Sequence, residues 1–475
     1  MFSNNMDDMD SDTLITTDEY SAKKKNQLFL IIILSISLLP LGLCTYCFIN
    51  YFQVTKPKYA DSLNNLENAL YGCMCDAGSS GTRVSVYSWP KRDKYIIPVI
   101  SEVARRKKPN STGIHKQNDT ELQETMNYLI DFCKKTVIEK SNNKSNLSDV
   151  AFYLKATAGM RSISEEKQKK KLDIIRDTIR KSKLKFLNDN WAKVINGSEE
   201  GLFGWMHVNY LNHILFDNED AKEQIKLPYG SIDLGGYSLE ITFSSNETIK
   251  EHNINLNFTQ VHYNLYSYSF QNYGQNRFNE ILMEHIIKNS SKSGNSNIIE
   301  NPCYLDGYKE IFILNNINYT FVGKNNIQLC KQHIKYIMNL TKDEDNEKSI
   351  NKVYQPKIPE NLKFYGISGL YWIAKFFNIA DGDEFHSASE LLNATDELCK
   401  KNWEDAIEHY KAETDEDKKH LKRYCSAGYY VYHLLVEGFK IDKDKKILNF
   451  PQKINNNEVG WTLGAMSYEI GLLPL

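Results

Sequence analysis

The sequence predicts an α/β body of two similar lobes behind one N-terminal transmembrane helix, and three observations carry that expectation. Strand-like and helix-like segments alternate from Tyr71 onward, as expected where sheets are covered by helices. A short pattern (a strand, Asp-X-Gly, small residues, a second strand) occurs twice. The stretch from Leu28 to Phe52, LFLIIILSISLLPLGLCTYCFINYF, carries no charge.

That uncharged run is long enough to cross roughly 30 Å of hydrocarbon as a helix. Lys23, Lys24 and Lys25 stand just before it, so the short N-terminus is expected to stay cytoplasmic. A cleaved secretory signal is the rival reading, but such signals begin nearer Met1 and have a shorter apolar core. Pro40 would kink the helix without preventing insertion. The expected layout is a polar cytoplasmic tail over residues 1–26, an anchor over 27–52 and a stalk over 53–67. The working body follows on the lumenal or extracellular side, a single-pass type II arrangement in the secretory pathway, at the Golgi or the cell surface.

Sequons of the form Asn-X-Ser/Thr agree with that side of the membrane. They begin at Asn110, Asn118, Asn143, Asn146, Asn196, Asn246, Asn257, Asn289, Asn318, Asn339 and Asn393, in a chain rich enough in Asn to produce many by chance. Cys303 with Cys330 and Cys399 with Cys425 are the local disulfides expected in an oxidising compartment. Cys73, Cys75 and Cys133 remain, an odd number, so at least one thiol is free or pairs elsewhere. No Cys or His spacing resembles a zinc site.

Composition is that of an ordinary globular protein, 41% hydrophobic and 25% charged, and 475 residues favour a large body. The formal net charge of −2 provides no basic field to gather nucleic acid. Lys167, Lys169, Lys170 and Lys171 form the densest basic cluster and read as the solvated face of a helix ahead of Leu172, Ile175 and Ile179. Polar stretches at 107–120, 140–148, 289–302 and 340–352 read as surface loops.

The repeated pattern carries the chemistry. Tyr71–Trp89 reads YGCMCDAGSSGTRVSVYSW and Tyr229–Phe243 reads YGSIDLGGYSLEITF. Each is a β-hairpin with an aspartate at the end of its first strand and a glycine-rich turn. One hairpin in each lobe would set Asp76 and Asp233 facing each other across a cleft. Glycines at Gly78, Gly81, Gly235 and Gly236 let backbone N–H groups approach an anion, and Ser79, Ser80, Thr82 and Ser238 add hydroxyl donors. Carboxylates beside phosphate imply an intervening divalent cation, Mg²⁺ or Ca²⁺, held by Asp76 and Asp233 through water. Ser238 and Glu240 alternate with Leu239 and Ile241 and are expected to point into the same cleft. Between the hairpins, KATAGMR (Lys155–Arg161) ends a strand in small residues and turns helical from Met160, offering N–H groups behind Thr157. EEGLFGWMHVNYL (Glu199–Leu211) sets an acidic residue beside glycine ahead of an aromatic amphipathic stretch.

Taken in order, DAGSSGTR, KATAGMR, EEGLFGWMHVNYL, SIDLGGYSLEITF and YGISGLYW (Tyr365–Trp372) resemble the apyrase family, the nucleoside triphosphate diphosphohydrolases. LKRYCSAGYY (Leu421–Tyr430) and GWTLGAM (Gly460–Met466) extend the likeness, which runs from about residue 68 to the C-terminus. The resemblance implies an actin-like architecture of two RNase H-like lobes, 68–196 with 453–475 and 197–452, with the active site between them. It implies metal-dependent hydrolysis of the terminal phosphate of nucleoside tri- or diphosphates, with Glu200 as the base that activates water. Asp76 and Asp233 would position the cation. Ser79, Ser80, Gly81, Thr82, Arg83, Thr157, Gly235, Gly236, Tyr237 and Ser238 would hold phosphate, and Tyr371 and Trp461 would meet the nucleotide by stacking or by lining the cleft.

Three positions depart from the family's pattern. Glu240 stands where Gln is usual, and Tyr237 where the residue is usually small. Gly81 replaces the His of the animal cell-surface members and is similar to Golgi and soluble diphosphatases. Two other readings compete: an exopolyphosphatase or sugar kinase of the same superfamily, and a surface glycoprotein that kept the fold and lost the activity. YGISGLYW and GWTLGAM argue against the first; Asp76, Glu200, Asp233 and Ser238 together argue against the second.

Overall fold

The computed structural model describes residues 69–90, 100–215, 227–258, 261–290, 297–340, 347–380 and 382–471. The expected tail, anchor and stalk lie outside these residues. Among the described residues, no helix is long and apolar enough to cross a membrane.

Both sequence hairpins form. β1 (Leu70–Gly78) pairs antiparallel with β2 (Gly81–Trp89), setting Asp76 opposite Arg83 and Gly78 opposite Gly81. β3 (Ser101–Lys107) adds beyond β2, while β4 (Ala151–Ala156) and β5 (Ala192–Val194) run parallel on the β1 side, giving the order β3-β2-β1-β4-β5. β1 is buried on both faces because successive side chains alternate across the sheet. Cys73, Cys75 and Ala77 pack with helices Asp119–Lys140 and Glu165–Lys181, while Met74 enters the layer behind. The Asp119 helix starts at Asn118, whose side chain accepts from Glu121 N–H while Glu121 returns the bond, and it buries Leu122, Met126, Leu129, Ile130, Cys133 and Val137 along one face. A Cys73–Cys133 disulfide, which the sequence left open, ties it to β1.

The second sheet repeats the plan. β6 (Gly230–Leu234) and β7 (Ser238–Ser244) form the hairpin, with Asp233 opposite Glu240. β8 (Asn253–Phe258) and β9 (Val261–Gln271) extend it beyond β7. A small sheet of β10 (Ile298–Asn301), β11 (Lys309–Leu314) and β12 (Ile317–Gly323) is appended. β13 (Phe364–Ser368) and β14 (Leu448–Asn449) run parallel beside β6, as β4 runs beside β1. The far face of this sheet is covered by the helical segment that contains Gln275–Ser290, Ile327–Ile337, Gly369–Phe376, Ala388–Cys399 and Asp415–His433. The expected disulfides Cys303–Cys330 and Cys399–Cys425 lie in that core, and Cys75 is free and buried.

Between the sheets lies one apolar layer containing helices Gly197–Leu211 and Thr462–Gly471, with Met74 and Tyr153 from one sheet and Leu265 and Ile367 from the other. Every residue from Glu200 to Leu211 is buried, so this helix is not amphipathic as its sequence suggested: it is covered on all sides. The two helices meet at Gly464, where a Cβ would come within 1.9 Å of the Phe203 carbonyl oxygen. Lys155 of the KATAGMR motif is buried beneath this layer, its ammonium 2.6 Å from Glu469.

Two smaller expectations change. Lys167, Lys169 and Lys170 are exposed, but Lys171 is buried and donates to the Gln117 carbonyl. The stretch 108–118 is a folded segment, with Ile114 wholly buried against the first sheet's helices.

Candidate active site

A cavity of about 370 Å³ opens where the two hairpin turns meet. Its wall takes Asp76, Ser79, Ser80 and Arg83 from the first hairpin, Asp233, Gly235, Gly236, Tyr237 and Ser238 from the second, and Thr157, Glu200, Tyr371 and Trp461 from elsewhere. The turns touch: a Cβ on Gly236 would lie 2.7 Å from Ser79 Oγ. Gly81, Thr82 and Glu240 are not on the wall. Thr82 sits opposite Ala77 and so faces away from the Asp76–Arg83 pair, into the core. Gly81 (φ +150°) lies under the Lys107 side chain. Glu240 shares the face of Asp233 and Ser238, but the Gly197 helix covers it. A Cβ on Gly201 would lie 3.5 Å from Glu240 Cβ and within 2.6 Å of Thr242 Oγ1, so glycine there lets the helix settle on β7.

Helix Gly197–Leu211 begins with a capping box between Asn196 and Glu199, which fixes Glu200 in its first turn. Glu200 is 6% exposed and accepts a 2.9 Å hydrogen bond from Arg161 Nη1. Arg161 also donates to Ser238 Oγ (3.2 Å) and to the Ile195 carbonyl (3.1 Å), and its Nη2 stands 3.6 Å from Glu240. One guanidinium thus links the strand-end motif of the first sheet to the base candidate and to β7. Ser269 donates to Glu240 Oε1 at 2.7 Å, while Glu240 Oε2 is buried without a partner.

The electrostatics follow from burying several carboxylates together. Burial pushes Glu200 up to about 7, against Arg161, with the charges of Asp233 and Asp76 adding. Burial raises Asp233 to about 6 and the Asp76 charge adds, while a hydrogen bond from Ser368 and the Arg83 charge oppose. Asp76 is raised by burial against Arg83, whose Nε lies 3.1 Å away. Glu240 is held well above the usual carboxylate range by burial and by Glu200 and Asp233. Such a cluster gains from a cation. Asp76 Oδ1 is buried and unpartnered, so the residues present fit one. Among the described residues, no group of three or more His, Cys, Asp or Glu is placed to hold a metal ion directly.

The sequence reading missed four contributors. Arg161 and Ser368 lay inside recognised motifs, yet nothing local marks an arginine for a partner 39 residues away. Ser368 adopts φ 59°, ψ −116° at the start of helix Gly369–Phe376, backbone strain of about 1–3 kcal/mol at the cleft wall. Arg105 reaches the wall from β3, its guanidinium held by Glu102 (2.6 Å) and Glu458 (2.8 Å). Trp372 lines the cleft and is 54% exposed. By contrast Tyr371 is buried, donating to Gln452 (3.0 Å) and accepting from Lys375 (2.9 Å), and Trp461 stacks on Phe203. Trp372 therefore offers more free ring surface than either expected aromatic.

Comparison with known proteins places the chain in a family. The chain is 29% identical over 427 residues to ectonucleoside triphosphate diphosphohydrolase 8 of Gallus gallus, covering 85% of this chain and 83% of the relative. It is 29% identical to ectonucleoside triphosphate diphosphohydrolase 1 of Bos taurus (84% and 81% covered) and 28% identical to probable apyrase 4 of Arabidopsis thaliana (83% and 78%). Its fold is similar to a crystal structure of nucleoside triphosphate hydrolases from Neospora caninum, with a TM-score of 0.60 at 13% identity, covering 88% of this chain and 96% of that one. Matched over residues 62–474 by the family's model, the chain belongs to the GDA1/CD39 (nucleoside phosphatase) family.

Proposed function

We propose that this protein removes the terminal phosphate of nucleoside tri- and diphosphates, with Glu200 taking the proton of the attacking water. The observation that carries this reading is Glu200 itself. It is a buried carboxylate gripped by Arg161, poised near pH 7, on a wall shared with the aspartates of two glycine-rich hairpins. A general base works best when its pKa lies near the operating pH. The water proton passes to Glu200, the water oxygen bonds the terminal phosphorus, and the bond to the bridging oxygen breaks. Orthophosphate and a nucleoside di- or monophosphate leave, and Glu200 returns its proton to solvent.

Backbone N–H groups and hydroxyls of Ser79, Ser80, Thr157, Gly235, Gly236 and Ser238 hold the phosphate oxygens, a role that requires positioning rather than covalent chemistry. Asp76 and Asp233 would hold a Mg²⁺ or Ca²⁺ ion through water, and such an ion would supply positive charge to those oxygens. Arg161 keeps Glu200 oriented, and Glu240 buttresses Arg161 from behind. The repeated hairpin-plus-parallel-strand plan supports two RNase H-like lobes, 68–196 with 453–475 and 197–452, closing around the cleft. The uncharged 27–52 run supports a type II anchor, with the catalytic body lumenal or extracellular.

The test is Glu200→Ala. Phosphate release should vanish while affinity for a nucleotide with Mg²⁺, read by calorimetry, stays within about tenfold of wild type, because the cradle is untouched. Equal loss of binding and turnover would remove Glu200 from the role of base.

A further inference from the structure

Away from the cleft, two imidazoles meet between neighbouring helices of the second core. His285 lies on helix Gln275–Ser290 and His333 on helix Ile327–Ile337. His285 Nε2 is 3.1 Å from His333 Nδ1, and the ring centroids are 5.0 Å apart. Asn289 Nδ2 donates to the His285 carbonyl at 2.8 Å and lies 3.0 Å from the same Nε2. An amide nitrogen only donates, so Nε2 carries the lone pair and the His285 proton sits on Nδ1. That arrangement is in conflict. Either a His333 Nδ1 proton competes with Asn289 for one lone pair, or two lone pairs face each other. The exposed Tyr336 ring stacks on His285 at 4.9 Å and 28°, which fixes the plane of that ring. Burial holds both histidines below the ordinary 6.5, with Lys288 adding at His285 and His285 adding at His333, so both are neutral in near-neutral solution.

We propose that His285 and His333 form a surface clamp for one imidazole-seeking divalent ion, Zn²⁺ in the first place, which cross-links their two helices. Neutral imidazole is the common ligand of Zn²⁺, Cu²⁺ and Ni²⁺. At a zinc–nitrogen distance of about 2.0–2.1 Å, two ligands of a tetrahedral ion stand about 3.3 Å apart, with ring centroids about 5.2 Å apart. The observed 3.1 Å and 5.0 Å fall just inside those values, so a small opening of the pair admits the ion. His333 then carries its proton on Nε2 and gives its Nδ1 lone pair to the ion, while Asn289 keeps its bond to the carbonyl. Among the described residues no third His, Cys, Asp or Glu joins the pair, so water completes the coordination shell. Two nitrogens do not suit Mg²⁺ or Ca²⁺, which prefer oxygen, so the clamp and the cleft take different ions. The clamp acts on the second sheet's cover. One helix starts at the cleft, where the Gln275 and Asn276 N–H groups donate to the Gly235 and Gly236 carbonyls, and the other is tied down by Cys303–Cys330. The inference does not depend on the phosphohydrolase reading.

The test is a calorimetric Zn²⁺ titration of the full-length protein, without a histidine tag or nucleotide and in excess Mg²⁺. Beside it stand His285→Gln, His333→Gln and, as a control, His420→Gln, which removes an exposed histidine paired with Glu416 on another helix. Each variant is first shown folded by circular dichroism. Wild type and His420→Gln should bind one Zn²⁺ that both clamp variants bind about tenfold or more weakly, since losing a ligand costs at least as much as losing a residue that supports one. Zn²⁺ should raise the thermal midpoint of wild type and of His420→Gln, but not of the clamp variants. Cu²⁺ gives a readout that needs no variant: the electron paramagnetic resonance spectrum of the bound ion should carry splitting from two nitrogens. An unchanged isotherm in a folded clamp variant would overturn the proposal. So would a wild type that takes up no Zn²⁺ in excess Mg²⁺, an equal loss in His420→Gln, or a Cu²⁺ spectrum with oxygen ligands alone.

Discussion

Replacing Glu200 by Gln should stop turnover and yet stabilise the metal-free protein above neutral pH. Glu200 is 6% exposed, and burial lifts its carboxyl from 4.5 to about 7 even with Arg161 at 2.9 Å. A raised carboxyl pKa means that the folded state favours the protonated form. The contribution is full below about pH 4.5 and is lost as pH rises through about 7. At about 1.4 kcal/mol per pKa unit, ionised Glu200 costs the metal-free fold about 3 kcal/mol well above that point. Gln fills the same volume and never ionises. In urea titrations with EDTA, Glu200→Gln should match wild type near pH 4.5 and exceed it by about 2–3 kcal/mol at pH 8.5. A variant equal to or less stable than wild type at pH 8.5 would refute the reasoning, because it would mean that Arg161 fully compensates the buried charge.

Three further outcomes are expected. Arg161→Ala leaves Glu200 and Glu240 without their shared cation, and kcat should drop by about 10²–10³ with nucleotide affinity changed far less, measured by steady-state kinetics beside calorimetry. Gly464→Ala drives a Cβ to within 1.9 Å of the Phe203 carbonyl, so the two central helices must separate, at a cost of about 2–3 kcal/mol in denaturant unfolding. Since Glu200 acts only when ionised, log kcat should rise with unit slope on the acid side and level off near or below pH 7, the cation lowering the midpoint; a flat profile from pH 5 to 9 would argue against a titrating base.

Much of the site was legible because its chemistry is local in sequence. The Asp-X-Gly hairpins can be read from alternation and turn residues alone, and they form with Asp76 and Asp233 on the cleft wall. What stayed hidden depends on neighbours distant in sequence. Glu240 has the right strand parity to face the cleft, yet a helix laid over it by Gly201 removes it from the wall. Helix Gly197–Leu211 lost its expected polar face because two sheets and a C-terminal helix enclose it. Cys73 and Cys133, 60 residues apart, become partners only once helix Asp119–Lys140 is packed on β1. His115 sat in a stretch that reads as a polar loop, and only the glycine-cleared space beside Ser79 and Gly159 brings it to Tyr237.

The central claim is best tested by phosphate release from the purified protein across nucleoside tri-, di- and monophosphates, each with Mg²⁺, with Ca²⁺ and with EDTA. The account predicts release from tri- or diphosphates only, in the presence of a divalent cation and abolished by EDTA. Release that persists in EDTA, or none from any nucleotide by folded protein, would contradict it.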